Sequence, residues 1–370
     1  MIPILYESSE THFNGAYVKQ GIGRLDETIS CTITETLTGV YELQLVYPLT
    51  GRYAKELMAG GIISALRPYA EGNTYVRVME PFEIYKHEIA GDIITVSAHH
   101  ISYKLATTIV QASQDAITQD SLSSFTEMRS LSLNESYTIS IGSFEQIAGE
   151  FRFEYVKSQR EYLYDDVYSF RKVYGLDIWF REMTIFAGTR GEDRGAEIRY
   201  GKNLTDWQVV ADKTNFYNAI VPFWQTTTNG ELVTIYSDPR VIHPAQAPEG
   251  PDIARAVDFG SYLKDQPSTA ALSVVAHNYM VRQRPWEPYI HAEVDFLQDN
   301  SNSTEAPIDL GDTVTVYHEV PELRGKKLRV VEVKYNPILE RFETLGLGDP
   351  RDGYAVTSAR GLDATREFMA

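Results

Sequence analysis

The chain has 370 residues, of which 43% are hydrophobic and 23% charged, so it is long enough for roughly two to four structural units with ordinary cores. Its formal net charge of −17, from 51 acidic and 34 basic residues, disfavours a protein that grips nucleic acid through the phosphates. The single cysteine, Cys31, excludes an intramolecular disulfide and a Cys-x-x-Cys site, and fits folding in a reducing cytoplasm.

The first 20 residues carry Glu7, Glu10 and His12 where a signal peptide would have a basic start and an apolar run. No stretch approaches the roughly 20 apolar residues of a membrane span. We therefore expect a protein without a readable export signal and without membrane contact.

Residues 22–105 have the pattern of consecutive antiparallel strands. Apolar and polar residues alternate in short segments that are separated by glycine-containing turns. These segments are 29–34, 41–47, 61–66, 75–78, 81–85 and 93–97. With one short helix within 50–59, they predict a compact β domain over residues 22–105.

The next part of the chain mixes helical and strand patterns. Segments 143–149 and 161–174 look helical, and in the second one Leu163, Val167, Phe170 and Tyr174 share one face. Segments 176–180 and 183–187 resemble a hairpin. An α+β domain is therefore predicted over residues 106–204.

Strands return at 217–224 and 231–236, and the proline-rich stretch 238–252 reads as a connector. A helix is predicted from Ser268-Thr269, which can cap it, to Arg284 before Pro285.

The chain then closes with three alternating segments, 308–317, 328–333 and 342–348. Turn chemistry at Gly311-Asp312 and Arg324-Gly325-Lys326 lies between them. The pattern predicts a small antiparallel barrel, followed by a polar tail or linker at 351–370.

Histidines give the most tempting metal signal, because imidazole is a common ligand. His99 and His100 are neighbours on a predicted strand, so they point to opposite faces and do not easily share an ion. His277, His291 and His318 lie far apart, without the spacing of a zinc motif. We expect structural roles for all five and predict no metal site.

Paired carboxylates raise the question of glycoside hydrolysis, which needs two acids across the scissile bond. The candidates are Asp165-Asp166, Glu192-Asp193 and Glu287. A chain with 51 acidic residues offers such pairs by chance, and Asp165-Asp166 fits the solvated face of its predicted helix. Because the sequence also lacks a Gly-x-Ser-x-Gly elbow and a Walker loop, we predict no catalytic and no cofactor-binding residue.

Two features leave a binding interpretation open. Arg199 and Lys202 flank Gly201 and could contact a phosphate or a sugar, although a strand end that turns through Gly201 and Asn203 is favoured. Tryptophans could also stack on a glycan, although strand tryptophans more often lie in cores or interfaces. They are Trp179, Trp207, Trp224 and Trp286.

An ordered set of motifs resembles the N-terminal region of siphophage and prophage tail proteins, a family that includes tail-associated lysins and prophage tail endopeptidases. The motifs are Thr34–Pro48, Pro81–Tyr85, Val96–Leu105, Arg190–Gly195, Ile198–Leu204, Ala219–Pro222 and Leu310–Val314. They extend from about residue 20 to about residue 350, which is nearly the whole chain.

The resemblance implies an α+β, β-rich tail hub fold, similar to the baseplate hub of contractile phages, with two barrel-like tube domains and two α+β domains. By this analogy residues 1–105 form the first tube domain, and 205–236 with 301–350 form the second. The α+β domains are 106–204 and an insertion at 237–300. Members named endopeptidase or lysin carry their hydrolase in a separate C-terminal region, and this chain stops soon after the last predicted strands, so no enzyme is expected.

The resemblance further implies a homotrimer at the virion tail tip, assembled in the bacterial host cytoplasm. Its expected partners are the distal tail protein, the tail tube, the tape-measure protein and downstream receptor-binding or lytic proteins. DNA would pass in transit without specific binding, past an acidic lining that repels phosphates. Two alternatives remain open, a peptidoglycan hydrolase or endopeptidase and a host-glycan-binding module.

Overall fold

The computed structural model describes residues 1–7, 21–134, 139–165, 168–200, 202–212, 216–228, 231–260, 266–286, 289–296, 306–319 and 324–348. The chain forms two compact units, the first from Met1–Gln208 with Glu293–Leu347 and the second chiefly from Val209–Ala292. The predicted tail 351–370 lies outside the described residues, and the division into four domains stays a prediction.

Strands dominate the described residues. In the first half of the chain they are β1 (Ile4–Tyr6), β2 (Gly23–Arg24), β3 (Ser30–Thr36), β4 (Tyr41–Pro48), β5 (Ile62–Glu71), β6 (Thr74–Ala90), β7 (Ile93–His100), β8 (Ile109–Val110), β9 (Ser113–Asp120), β10 (Ser140–Phe144), β11 (Ala148–Phe153) and β12 (Lys157–Ser158). In the second half they are β13 (Asp177–Arg181), β14 (Thr184–Gly188), β15 (Glu197–Arg199), β16 (Leu204–Asp212), β17 (Ala219–Thr228), β18 (Glu231–Tyr236), β19 (Ala254–Asp258), β20 (Tyr289–Phe296), β21 (Thr313–Tyr317), β22 (Lys326–Asn336) and β23 (Arg341–Gly348).

The helices are short by comparison. They are α1 (Ala54–Ala59), α2 (Ser121–Ser130), α3 (Gln159–Tyr164), α4 (Phe170–Tyr174) and α5 (Thr269–Gln283), with a 3₁₀ helix at Ile101–Thr107. Among the described residues, no helix is long and apolar enough to cross a membrane.

A 13-stranded sheet organises the first unit. Its order is β16-β20-β23-β22-β3-β4-β7-β6-β5-β1-β2, with β21 beside β22 and β15 beside β21. The closing strand β22 pairs antiparallel with β3, with Tyr335 opposite Ile33. The last strands therefore extend the sheet that the first strands begin. The β-rich class is confirmed, but none of the ladders among the described strands closes on itself, so the two barrels are not confirmed.

Two cores fill this unit. Alternate residues of β3, β4 and β7, such as Ile33, Leu43 and Val96, are fully buried under the large sheet. Each such side chain stabilises the fold by about 1.5–3 kcal/mol. A second, aromatic core lies among α2, α3, α4 and β9–β14, where the Phe151 ring contacts those of Phe153, Tyr162, Tyr168, Phe170 and Tyr174.

The second unit is a three-stranded sheet, β18-β17-β19, with α5 as its helix. The predicted cap is confirmed, because Ser268 Oγ accepts a hydrogen bond of 3.1 Å from the Ala271 amide. Leu272 and Met280 on α5 pack in one core with Trp224 of β17.

One helix prediction is wrong, and a second is confirmed only in part. Segment 143–149 contains the end of β10 and the start of β11, because its apolar residues pair with other strands and do not form a helical stripe. Segment 161–174 is divided into α3 and α4, and the first of these ends at Asp165, whose ψ of 141° is extended. Val167 lies outside the described residues. Helix α2 was missed, although Asp120 caps it by accepting from the Leu122 and Ser123 amides.

Candidate functional site: a buried charge network

Four ionised side chains meet in the interior of the first unit. They are Glu35 on β3, Arg67 on β5, Arg190 after β14 and Asp309 before β21, and all four are buried. Arg67 Nη2 donates to Glu35 Oε2 at 2.9 Å and to Asp309 Oδ1 at 2.6 Å. Arg190 Nη1 donates to the other Glu35 oxygen at 2.6 Å. We call these four residues the buried quartet.

The buried quartet is electrically balanced, with two carboxylates and two guanidinium groups. Burial alone would raise the pKa of Asp309, but Arg67 and Arg190 hold that pKa below its ordinary value. Burial would lower the pKa of Arg67, but Asp309 and Glu35 outweigh it, and the pKa lies above its ordinary value. Because each charge stabilises the others, removal of one leaves an uncompensated charge in the core.

Two of the sequence motifs dock against each other beside the quartet. The Thr313 amide donates to Glu192 O at 3.0 Å, and the Glu192 amide donates to Asp312 Oδ1 at 2.8 Å. Arg194 Nη1 donates to the same Asp312 oxygen. Motif Arg190–Gly195 is thereby fixed to motif Leu310–Val314.

A glycine makes this docking possible. Gly191 has φ +86°, and a Cβ built there would lie 2.0 Å from the carbonyl carbon of Gly311. Backbone atoms at that distance cannot move aside cheaply, so a side chain at this position would separate the two motifs.

A further ion pair joins the hairpin β13–β14 to the closing strands. Arg329 Nη2 on β22 donates to Asp177 Oδ2 and, at 2.7 Å, to Arg190 O. The Arg190 amide donates to the same Asp177 oxygen at 2.9 Å. Strands from the beginning, middle and end of the chain are therefore tied by charged side chains.

A second buried polar chain runs beside the quartet. Glu80 accepts from Tyr69 Oη at 2.6 Å and lies 3.1 Å from His100 Nε2. It also accepts from the Glu182 amide at 2.7 Å, while the hydroxyls of Tyr69 and Tyr41 are 2.7 Å apart. Burial raises the pKa of Tyr41 and of Tyr69. Because both oxygens of the Glu80 carboxylate have protein donors, this chain of polar groups is suited to holding segments together.

The structure separates the predicted histidine candidates. His100 is buried against Glu80, whereas His99 lies on the opposite face of β7, half-buried, with Nε2 3.4 Å from Glu42. His318 packs against the Trp207 ring at 4.4 Å, and His277 is exposed on α5. The side chain of His291 lies outside the described residues. In the part of the chain that is described, no three histidine, cysteine or acidic residues are grouped to hold a metal ion.

The described members of the acidic pairs form ion pairs with different lysine and arginine side chains. Asp165 is 2.6 Å from Lys157 Nζ, Glu192 is 3.5 Å from Arg194, and Asp193 is 2.6 Å from Lys327 Nζ. Asp166 and Glu287 lie outside the described residues.

The other binding candidates also have protein neighbours. Arg199 pairs with Glu197 at 2.7 Å and lies 3.8 Å over the Tyr317 ring. Lys202 is exposed, and Gly201 lies outside the described residues.

The tryptophans do not form a common surface. Trp224 and Trp286 are buried in the core of the second unit. Trp179 stacks on Phe186 with ring centroids 5.6 Å apart, and Trp207 contacts His318.

The buried quartet was missed by sequence reasoning, since charged residues are by default assigned to the surface. A signal was present: β5 is apolar and buried along almost its whole length, and Arg67 lies in its middle. Arg190 and Asp312 belong to motifs that carried the family resemblance, but the sequence did not reveal which opposite charges they contact.

The sequence matches no protein-family model, and no curated protein matches it. Its fold is similar to three solved structures over nearly the whole length of each chain. Prophage tail protein gp18 of Listeria monocytogenes has 13% identity, 99% coverage of both chains and a TM-score of 0.59. The 43 kDa tail protein of prophage MuSo2 from Shewanella oneidensis has 11% identity, coverage of 95% and 98%, and a TM-score of 0.58. A tail protein of Neisseria meningitidis has 10% identity, coverage of 94% and 96%, and a TM-score of 0.56. The chain therefore has the fold of prophage tail proteins, which confirms the resemblance recognised in its motifs.

Proposed function

We propose that this chain is a structural hub of a phage or prophage tail tip. Three copies form a ring that joins the sixfold tail tube to distal receptor-binding or lytic components. The observation that carries this proposal is the fold shared with the Listeria monocytogenes tail protein across 99% of both chains.

The proposed mechanism is symmetry adaptation. In each subunit two similar tube domains, one of them within segment 1–105, would face the tail tube, so three subunits present six. A closed ring of this kind satisfies every contact without an open end. The buried quartet supports the role, because it ties distant segments of the chain into one unit, as a joining part requires.

The charge of −17 supports passage of DNA without binding. An acidic lining repels phosphates within about a Debye length, which is about 8 Å at physiological ionic strength. A ring whose channel is predominantly basic would contradict this part of the proposal.

Light scattering coupled to size-exclusion chromatography tests the oligomer. We expect a particle of three chains of 41.9 kDa each, and threefold rings in electron micrographs, either alone or after addition of the tail-tube protein. A stable dimer would refute the proposal. Clearing of bacterial cell walls in a zymogram by the purified protein would favour a peptidoglycan hydrolase instead.

A further inference from the structure

One surface feature of the first unit is not explained by a role in joining segments. The rings of Tyr85 and His99 are stacked with centroids 3.8 Å apart, and those of His99 and Tyr103 are 4.1 Å apart. The guanidinium of Arg160 lies 3.6 Å over the other side of the Tyr103 ring. We call these four side chains the stacked ladder.

Contacts from strands β4 and β7 and from helix α3 hold the stacked ladder in place. Glu42 on β4 lies opposite His99 on β7 and accepts from Tyr103 Oη at 3.3 Å. Arg160 Nη2 on α3 donates to Gly39 O at 2.5 Å. A bulge in β6 falls at Tyr85, where the register shifts between Ile84 and Lys86, and such bulges re-aim a side chain. These protein contacts alone fix the orientation of the rings.

The outer end of the ladder is open. Tyr85 is 52% exposed, and its stacking contact with His99 covers one face of the ring. At the other end, a shallow depression of about 480 Å³ begins at Arg160 and is lined also by Ser158 and Tyr164. A rigid, exposed ring loses little side-chain freedom when a ligand covers it.

The charges around Tyr85 favour a neutral ligand. Glu83 is 3.0 Å from Lys104 Nζ, and Glu42 is shared by His99 and Tyr103, so the carboxylates already have donors. Burial, with Arg160 close by, lowers the pKa of His99 and favours its neutral form. A phosphate polymer would meet acids here, and a free cation would compete with Lys104.

The aromatic face of Tyr85 further restricts the chemical class of the ligand. Its π cloud is negative, so it attracts weakly positive C–H groups, which line the flat side of a pyranose ring. The half-exposed carboxylates Glu42 and Glu83 keep further lone pairs besides those used by their protein donors, and these can accept hydrogen bonds from hydroxyl groups. Gln44 and Ser97, paired on the neighbouring strands, continue a polar face in the same sheet.

We propose that the stacked ladder is a binding platform for a neutral, polyhydroxylated oligosaccharide, with one sugar ring stacked on the free face of Tyr85. This site would add glycan recognition to a structural tail protein. It is independent of the tryptophans, two of which are buried.

The test uses the full chain and neutral probes: oligomers of β-1,4-linked N-acetylglucosamine, of rhamnose and of glucose, each of four sugars, measured by calorimetry. We expect at least one to bind in the millimolar range or tighter. Tyr85→Ala should weaken that binding by about tenfold or more, whereas Tyr85→Phe keeps the ring and should retain it within about twofold. Tyr155→Ala is the matched control, because Tyr155 is 57% exposed and lies outside the ladder. It should bind as the wild type does.

A second measurement does not depend on how the variants fold. In NMR spectra of the wild-type protein, titration with the oligosaccharide that binds should shift the imidazole signals of His99 and leave those of His318 unchanged. The proposal is overturned if no neutral probe binds, if Tyr85→Ala keeps the wild-type affinity, or if only heparin fragments or tetramethylammonium bind. Loss of the oligomer in Tyr85→Ala, without any glycan binding by the wild type, would identify a subunit contact instead.

Discussion

Replacement of Arg67 by methionine tests the importance of the buried quartet. Arg67 is 0% exposed and bonds to both Glu35 and Asp309, so Arg67→Met leaves two carboxylates facing Arg190 alone. Methionine retains much of the apolar volume of the arginine stem, which keeps the cavity contribution small. Breaking a buried ion pair from one side costs about 3–5 kcal/mol. The free energy of unfolding of a domain is about 5–15 kcal/mol, so the expected loss is about a fifth of it or more.

Urea unfolding followed by circular dichroism measures this loss. At a slope of about 2–3 kcal/mol per molar urea, the midpoint should fall by about 1–2.5 M. The control is Arg77→Met, because Arg77 is 52% exposed and pairs with the exposed Glu340 at 2.5 Å. A surface pair contributes at most about 1 kcal/mol, so this midpoint should move little. If Arg67→Met loses no more than Arg77→Met, the quartet is not the joint that its geometry indicates.

Acid gives an independent view of the same site. The folded-state pKa of Asp309 lies below its ordinary value, so the unfolded chain takes up this proton first as the pH falls. The stability that Asp309 contributes is present above about pH 4 and is lost as the pH falls through the lowered pKa. Asp309→Asn should lack this component of the acid transition. In the Arg67→Met background it should also restore part of the stability, because it removes an uncompensated charge.

Three further outcomes are expected from urea midpoints. Gly191→Ala should lower the free energy of unfolding by about 3 kcal/mol or more, because its Cβ would meet the Gly311 backbone. Gly195 also has a positive φ, +72°, but it faces open space, so Gly195→Ala should cost only about 1 kcal/mol. Phe151→Ala should cost about 3–5 kcal/mol, since its fully buried ring lies at the centre of the aromatic core; a loss below 1 kcal/mol would contradict that. Burial lowers the pKa of His99, so stability present above about pH 6.5 should decline as the pH falls through the folded-state pKa, and His99→Gln should flatten that decline.

Strand positions were predictable where alternate residues of a strand are buried, as in β4, which differs from the predicted 41–47 by one residue. The strand predicted at 231–236 also matches β18, although none of its residues is fully buried. Alternation at period 2 records which side of a sheet is covered, and that is a local property. The capped helix α5 was predictable for the same reason, since its start signal lies in Ser268.

Pairing between distant strands was not predictable from the same pattern. The closing strands alternate as a self-contained barrel would, yet β22 takes β3 as a neighbour across about 300 residues of chain. Alternation gives the faces of a strand but does not name its partner. Segment 161–174 failed differently, because its apolar stripe at helical spacing continues across Asp165, where α3 ends with an extended ψ of 141°.

The buried quartet supplies the missing information about partners. Many strands of this chain present similar apolar faces, so burial alone would tolerate several pairings or registers. Arg67 is compensated only when Asp309 arrives from the closing segment and Glu35 comes within reach from β3, which three strands separate from β5 in the sheet order. Glu35 in turn needs Arg190. A slipped strand would leave at least one charge in the core without a partner, at a cost of several kcal/mol. The charges thus discriminate between arrangements that the apolar residues cannot tell apart. That is the property a chain needs if its first and last strands must meet in one sheet.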